Sequence, residues 1–282
     1  MEELIPKKIR KIPRKKIVPI IHRKYAEPIT ELVKFWYLKI SDKRCLSVLS
    51  VRAPSLPREF EHLKRINKGA FFLLEPVSEN QKLSEEAVEA IEGIEGVALD
   101  IICVPGKAPL SKYQMDLIKD IWPVNFKPQF NIEKMMCGKL FDRTETDRIL
   151  RFYDEVCVTD SIIIYDPMEY VVRVRIPKFQ KCHEIDHPVM RALNELAIIQ
   201  KKALSEGDCE QYLATNYYCI LPTECCAMCT MALVHSRIGK VFFGDLIHEK
   251  GAFLSTWRMM ECPKINHHFD LFRIVDDEDK CN

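Results

Sequence analysis

The chain has 282 residues, 47% hydrophobic and 29% charged, with 42 Lys and Arg against 41 Asp and Glu. That length allows two modest domains without a disulfide or metal being needed merely to fold, and the charge balance excludes a globally polybasic nucleic-acid binder. The twelve cysteines form no regular framework, the charged N-terminus lacks the apolar core of a secretory signal, and no run approaches a membrane span. The expectation is a soluble protein of a reducing compartment, its special cysteines metal ligands or reactive thiols.

Residues 1–30 read as a basic extended arm. Lys7, Lys8, Arg10, Lys11, Arg14, Lys15 and Lys16 lie among Pro6, Pro13 and Pro19, whose spacing forbids a continuous helix. Such an arm captures RNA phosphate, addresses the nucleus, or is simply a solvated tail. In residues 31–130, the β-branched and apolar run over 33–51, broken at 41–43, predicts a strand. Phe60, Leu63 and Ile66 then predict a helix over 54–68. A strand over 71–74, a helix over 85–94, a strand over 96–104 and a helix over 113–121 follow. This alternation predicts a smaller α+β domain with helices on one face of its sheet, for which a ferredoxin-like layer is one option. Domains of this kind often bind RNA.

Residues 131–282 repeat the alternation. A helix is expected over 144–156, with Ile149, Phe152, Tyr153 and Val156 on one face. A hairpin over 161–176 turns at Asp166-Pro167. A helix follows His187, then a strand over 217–221, a helix over 224–237 and a strand over 240–243. The class is α/β.

Three residues in this half suggest chemistry: His187 before one helix, and Cys226 with Cys229 at the start of another. A C-x-x-C at a helix N-terminus puts both sulfurs on one turn, where unpaired N–H groups favour thiolates. One His and two Cys supply three ligands of a tetrahedral Zn²⁺. The same cysteines also fit small buried apolar residues, and Cys225 with Cys229 is a second possible pairing.

The segments around these residues, His187-Pro188-Val189 and Glu224-Cys225-Cys226-Ala227-Met228-Cys229, resemble the H-x-E and P-C-x-x-C segments of the zinc nucleobase deaminases. Met231 to Ile238, Gly251-Ala252, Ser255 and Ile265 to Phe269 resemble the corresponding stretches of the tRNA adenosine deaminases. The likeness covers residues 131–282 and is to the non-catalytic subunit of the eukaryotic heterodimeric wobble-adenosine deaminase. It implies a cytidine deaminase-like three-layer αβα domain over 131–282, with His187, Cys226 and Cys229 binding one structural Zn²⁺. It further implies a catalytic deaminase chain and tRNA as partners, adenosine-to-inosine conversion at the first anticodon position, and residence in nucleus and cytoplasm.

Two positions depart from the deaminase pattern. Val189 stands where the glutamate that moves protons belongs, and valine exchanges none; general acid–base catalysis is worth about 10²–10⁴-fold. In the resembled subunit this exchange is itself the mark, so no catalytic residue is expected. Cys225 stands where proline usually shapes the helix start. With Val189 in place, the fourth metal position is left to a water or to a protein group, the C-terminal segment from Asp276 to Asn282 folding back being one candidate. A self-sufficient zinc deaminase and a free-standing RNA-binding scaffold are the alternative functions.

Overall fold

The computed structural model describes residues 15–67, 70–177, 184–207 and 213–277. In chain order its elements are β1 (Lys15–Ile20), α1 (Arg23–Ala26), β2 (Leu32–Ile40), α2 (Cys45–Arg52), β3 (Ile66–Asn67), β4 (Phe71–Pro76), α3 (Glu85–Ile91), β5 (Val97–Pro105), α4 (Lys112–Ile118) and α5 (Phe130–Met136). Then come α6 (Arg143–Thr159), β6 (Ile162–Asp166), β7 (Val171–Ile176), α7 (Pro188–Glu206), β8 (Tyr218–Ile220), α8 (Ala227–His235), β9 (Lys240–Phe243) and β10 (Asp270–Asp276). Two compact units result: Arg23–Lys134, and the described residues up to His22 together with those from Met135 onward.

The Arg23–Lys134 unit is built on a four-stranded sheet in the order β3-β4-β2-β5, antiparallel throughout. Alternate residues of β2 feed two separate cores. Phe35 and Tyr37 pack with Phe60, Leu63, Ile118 and Trp122, whereas Leu38 and Ile40 pack with Leu49 of α2 and Ala87 of α3. Both faces of the sheet are therefore covered, not one, because β2 carries large apolar side chains on both. The single strand expected over 33–51 is also two elements. After Ile40 the chain turns at Asp42, which accepts the Arg44 N–H, and Cys45, Leu46, Leu49 and Ala53 recur at helical spacing. The helix expected over 54–68 shrinks to one 3₁₀ turn at Arg58–Phe60. Pro54 and Pro57 withhold donors there, and the Arg65 guanidinium holds the stretch by donating to the carbonyls of Pro54, Leu73 and Leu74.

The second unit carries a six-stranded sheet in the order β1-β10-β9-β8-β6-β7. β8, β9 and β10 run parallel, so each join needs a crossover: α8 supplies the first and residues 244–269 the second. On one face α7 and α8 bury Val189, Ala192, Leu196, Cys229, Leu233 and Val234 against Ile164, Val174, Cys219, Val241 and Leu271. On the other, Phe152 of α6 meets Tyr165, and Phe141 meets Tyr218, Phe242 and Phe272 at 5.1–6.3 Å. The expected helix and hairpin are present, with Ile149, Tyr153 and Val156 buried and β6 antiparallel to β7.

The basic arm needs correction where it is described. Lys15 to Ile20 are an edge strand, paired antiparallel with β10 from Lys15↔Asp276 to Ile20↔Leu271. Ile17, Val18 and Ile20 favour extended backbone, and pairing closes an edge β10 would otherwise leave open; Pro19 is tolerated because β1 is itself an edge. The segment thus belongs with the C-terminal half.

Candidate metal centre

Two helix starts make the site. His187 is the residue before α7, with Pro188 in the first helical position, and Cys226 holds the same place before α8. Proline suits that position because its missing N–H would be unpaired there in any case. Cys229 follows in the first turn of α8 and points to the same side as Cys226. His187 Nδ1 lies 3.3 Å from Cys229 Sγ and 3.4 Å from Cys226 Sγ, and all three ligand atoms fall within 4.8 Å of one another. A tetrahedral Zn²⁺ with bonds of about 2.0 Å to nitrogen and about 2.3 Å to sulfur has N···S edges of about 3.5 Å. The donor set and its spacing fit such an ion. His187 Nε2 sits 3.1 Å from the Glu184 carbonyl, so its N–H donates there and leaves the Nδ1 lone pair facing the sulfurs. Among the described residues this is the one cluster of three His, Cys, Asp or Glu side chains able to hold a metal.

Between Cys225 and Cys226 the geometry favours Cys226, whose sulfur lies 3.4 Å from His187 Nδ1 and within the ligand cluster. Cys225 is 6% exposed and belongs to the apolar core, and its carbonyl accepts the Ala252 N–H at 2.8 Å. It lies before the helix cap and not within the first turn, so proline's shaping of a first turn is not at issue there. Its thiol hydrogen-bonds the Cys229 sulfur; this bond, opposed by burial and assisted by His187, brings the Cys229 thiol down to about 6. Cys225 itself is pushed up by the same bond and by burial. The helix-start N–H groups are not what sets either thiol: Cys229 is lowered by the Cys225 thiol and His187, and at Cys226 burial outweighs the nearby N–H groups and raises the thiol.

Val189 lies in the first turn of α7, 4% exposed within the core that also contains Cys225 and Cys229. The buried carboxylates beside the motifs are committed elsewhere. Asp186 pairs with Arg191 at 2.5 Å. Glu224, 2% exposed, accepts the N–H groups of Ile247, Phe253, Leu254 and Ser255 and the Ser255 hydroxyl. Burial would raise its carboxyl, but these donors outweigh it and hold it below the usual range. With both oxygens filled, Glu224 is an anchor and not a proton carrier. Glu195 is exposed on α7. The sequence reading gave Glu224 no role, since no local pattern announces donors from a loop more than twenty residues later.

Of the other expected site residues, Lys7, Lys8, Arg10, Lys11 and Arg14 lie outside the described residues, as does the segment beyond 277, one candidate for the fourth metal position. Asp276, its first residue, is in β10. Lys15 is ion-paired with Asp154 at 2.5 Å and lies 5.0 Å from the Tyr153 ring, which makes it a strand anchor more than a free phosphate hook. Lys16 is next to it in β1.

The fold and site thus define a mixed α/β protein with a His–Cys–Cys cluster able to hold a metal and a buried valine two residues after its histidine. No family model matches the chain. A probable inactive tRNA-specific adenosine deaminase-like protein 3 of Homo sapiens is 25% identical over 93% of this chain and 90% of its own length. The tRNA-specific adenosine deaminase subunit tad3 of Schizosaccharomyces pombe is 23% identical over 87% of this chain and 79% of its own. A solved chain from studies of A-to-I editing by tRNA:A34 deaminases covers 46% of this chain and 98% of its own, at 17% identity and a TM-score of 0.35. The chain is similar over most of its length to this adenosine deaminase-like protein 3 and this tad3 subunit, the Tad3-like relatives that its sequence resembles.

Proposed function

We propose that the chain is the non-catalytic, zinc-binding and tRNA-binding subunit of a heterodimeric tRNA adenosine deaminase that makes inosine at the wobble position. The observation that carries this reading is Val189, buried beside an intact His187–Cys226–Cys229 set. The ligands are kept while the proton carrier is gone, as expected of a metal that ties two helix starts together and preserves a surface for a catalytic partner. A bound zinc ion would supply Lewis acidity, but with Val189 in place of a proton carrier this reading makes its contribution structural. The names of the relatives, which include a deaminase subunit and a probable inactive deaminase, support a partner chain and a tRNA substrate.

On this reading the second unit is a cytidine deaminase-like αβα domain, supported by helices packed on both faces of its sheet. The β-α-β-β-α-β order of the Arg23–Lys134 unit and its strand order support a ferredoxin-like layer. That unit and the basic arm hold the tRNA body through shape and phosphate contacts. No helix among the described residues is long and apolar enough to cross a membrane. Residence in nucleus and cytoplasm is part of the same reading, implied by the resemblance alone.

Co-expression with a catalytic deaminase chain, followed by a tRNA inosine assay, tests the reading. Inosine should form only with both chains present, and replacing residues 23–130 with a flexible linker, which keeps β1 in the second unit's sheet, should leave pairing intact while sharply weakening tRNA binding. Deamination by the chain alone at the rate of the complex would refute it.

A further inference from the structure

We propose that Glu224 is a positioning residue for the metal centre: its carboxylate clamps loop 247–255 to the segment presenting Cys226 and Cys229, and the ligand set keeps its geometry only while this clamp is closed. The inference rests on the reading that His187, Cys226 and Cys229 hold zinc.

The clamp is made of named contacts. One carboxylate oxygen accepts the N–H groups of Phe253 at 2.8 Å, Leu254 at 2.5 Å and Ser255 at 3.0 Å. The other accepts the Ile247 N–H at 3.2 Å and the Ser255 hydroxyl. A carboxylate this deeply buried is tolerable only when its lone pairs are filled, so the five donors and the charge require one another. Backbone bonds run alongside: the Glu224 N–H donates to Asp245 O at 2.8 Å, and the Ala252 N–H to Cys225 O at 2.8 Å. The loop is fixed at its far side by Phe253, whose ring lies 5.2 Å from Phe243 and 6.0 Å from Phe269.

Two residues after Glu224, Cys226 opens α8, with no side-chain hydrogen bond of its own to cap the helix. The orientation of that helix start is therefore set by what holds residues 224 and 225, and apart from the Asp245 carbonyl those holds come from the loop. Gly251 completes the arrangement, because a Cβ there would stand 2.2 Å from a Glu224 carboxylate oxygen. The surroundings of a ligand set tune affinity by orienting the ligands, and losing one such partner typically weakens metal binding by about 10–100-fold.

The test is zinc affinity of the full chain, by competition with a chromophoric chelator, with circular dichroism to confirm folding. Glu224→Gln replaces one acceptor with an NH₂ group facing backbone donors, and Gly251→Ala displaces the carboxylate from the loop side. Both are expected to weaken zinc binding about 10–100-fold. Ser255→Ala, which removes a single donor and keeps the fold should the others fail to, is expected to weaken it several-fold. Asp166→Asn is the control for a merely structural effect: it destabilises the same unit away from the site and should leave affinity within about twofold. Wild-type affinity in Glu224→Gln and Gly251→Ala, or an equal loss in the Asp166→Asn control, overturns the clamp. A wild-type chain that binds no zinc overturns the underlying reading instead.

Discussion

Asp166 closes β6 with its side chain buried, and the hairpin beneath α7 depends on it. One oxygen accepts the N–H groups of Met168 at 3.0 Å and Glu169 at 3.3 Å; the other accepts Arg173 Nε at 3.1 Å and Nη2 at 2.6 Å. Asp166→Asn keeps the turn acceptor but loses both charge-assisted bonds. Arg173 is 34% exposed, so its freed guanidinium can hydrate, and the loss should fall short of that for a fully buried pair, at about 1–2 kcal/mol. Asp166→Ala also orphans two N–H groups and should cost about 2–4 kcal/mol. At about 2–4 °C per kcal/mol for a unit of this size, the melting point of Asp166→Asn should drop about 2–8 °C, read by circular dichroism. Burial by itself would raise the Asp166 carboxyl, but Arg173 and the turn N–H groups outweigh it and hold it below its ordinary value. A folded-state value below the unfolded one means the stabilisation is complete above the unfolded pKa, about 3.9, and is lost as pH falls through the folded value. The gap between wild type and Asp166→Asn should therefore close as pH is lowered from about 5 toward 2. An equal gap at pH 7 and in strong acid would refute the electrostatic account.

Other perturbations separate the cysteines and test the valine. Cys226→Ser and Cys229→Ser should each lower zinc affinity by more than about 100-fold, whereas Cys225→Ser should keep one bound zinc; retention in the first two would show that the ligands are misassigned. Val189→Glu should destabilise the metal-free chain by about 1.5–3 kcal/mol at low pH through lost apolar burial. A buried carboxyl has a raised pKa, so a further penalty should appear as pH rises above about 4.3; a loss independent of pH would place residue 189 in contact with water. Arg65→Ala leaves the carbonyls of Pro54, Leu73 and Leu74 without their shared donor. It should destabilise the Arg23–Lys134 unit by about 2–4 kcal/mol, followed through the buried Trp122, with zinc uptake unchanged.

Local signals served best where they were long and periodic. Ile149, Tyr153 and Val156 on one helical face and the Asp166-Pro167 turn between β-branched runs led directly to α6 and the β6–β7 hairpin. They served worst where an apolar run was short. The stretch from Cys45 to Val51 satisfies strand and helix patterns alike, and burial of Leu49 against Phe72 and Leu74 settles it as helix. The arm was misread because its charge is local while the pairing of Ile17 with Ile274 is formed across most of the chain.

The ligand set belongs to both levels. His187, Cys226 and Cys229 were singled out in the sequence by residue types at helix starts together with the family resemblance, and Val189 by that resemblance. Whether Cys225 or Cys226 faces the histidine, and that Glu224 anchors a loop instead of moving protons, was decided only by tertiary structure. Those distinctions turn on which atoms are dry and which donors converge on them, and both are fixed by segments far apart in the chain coming together.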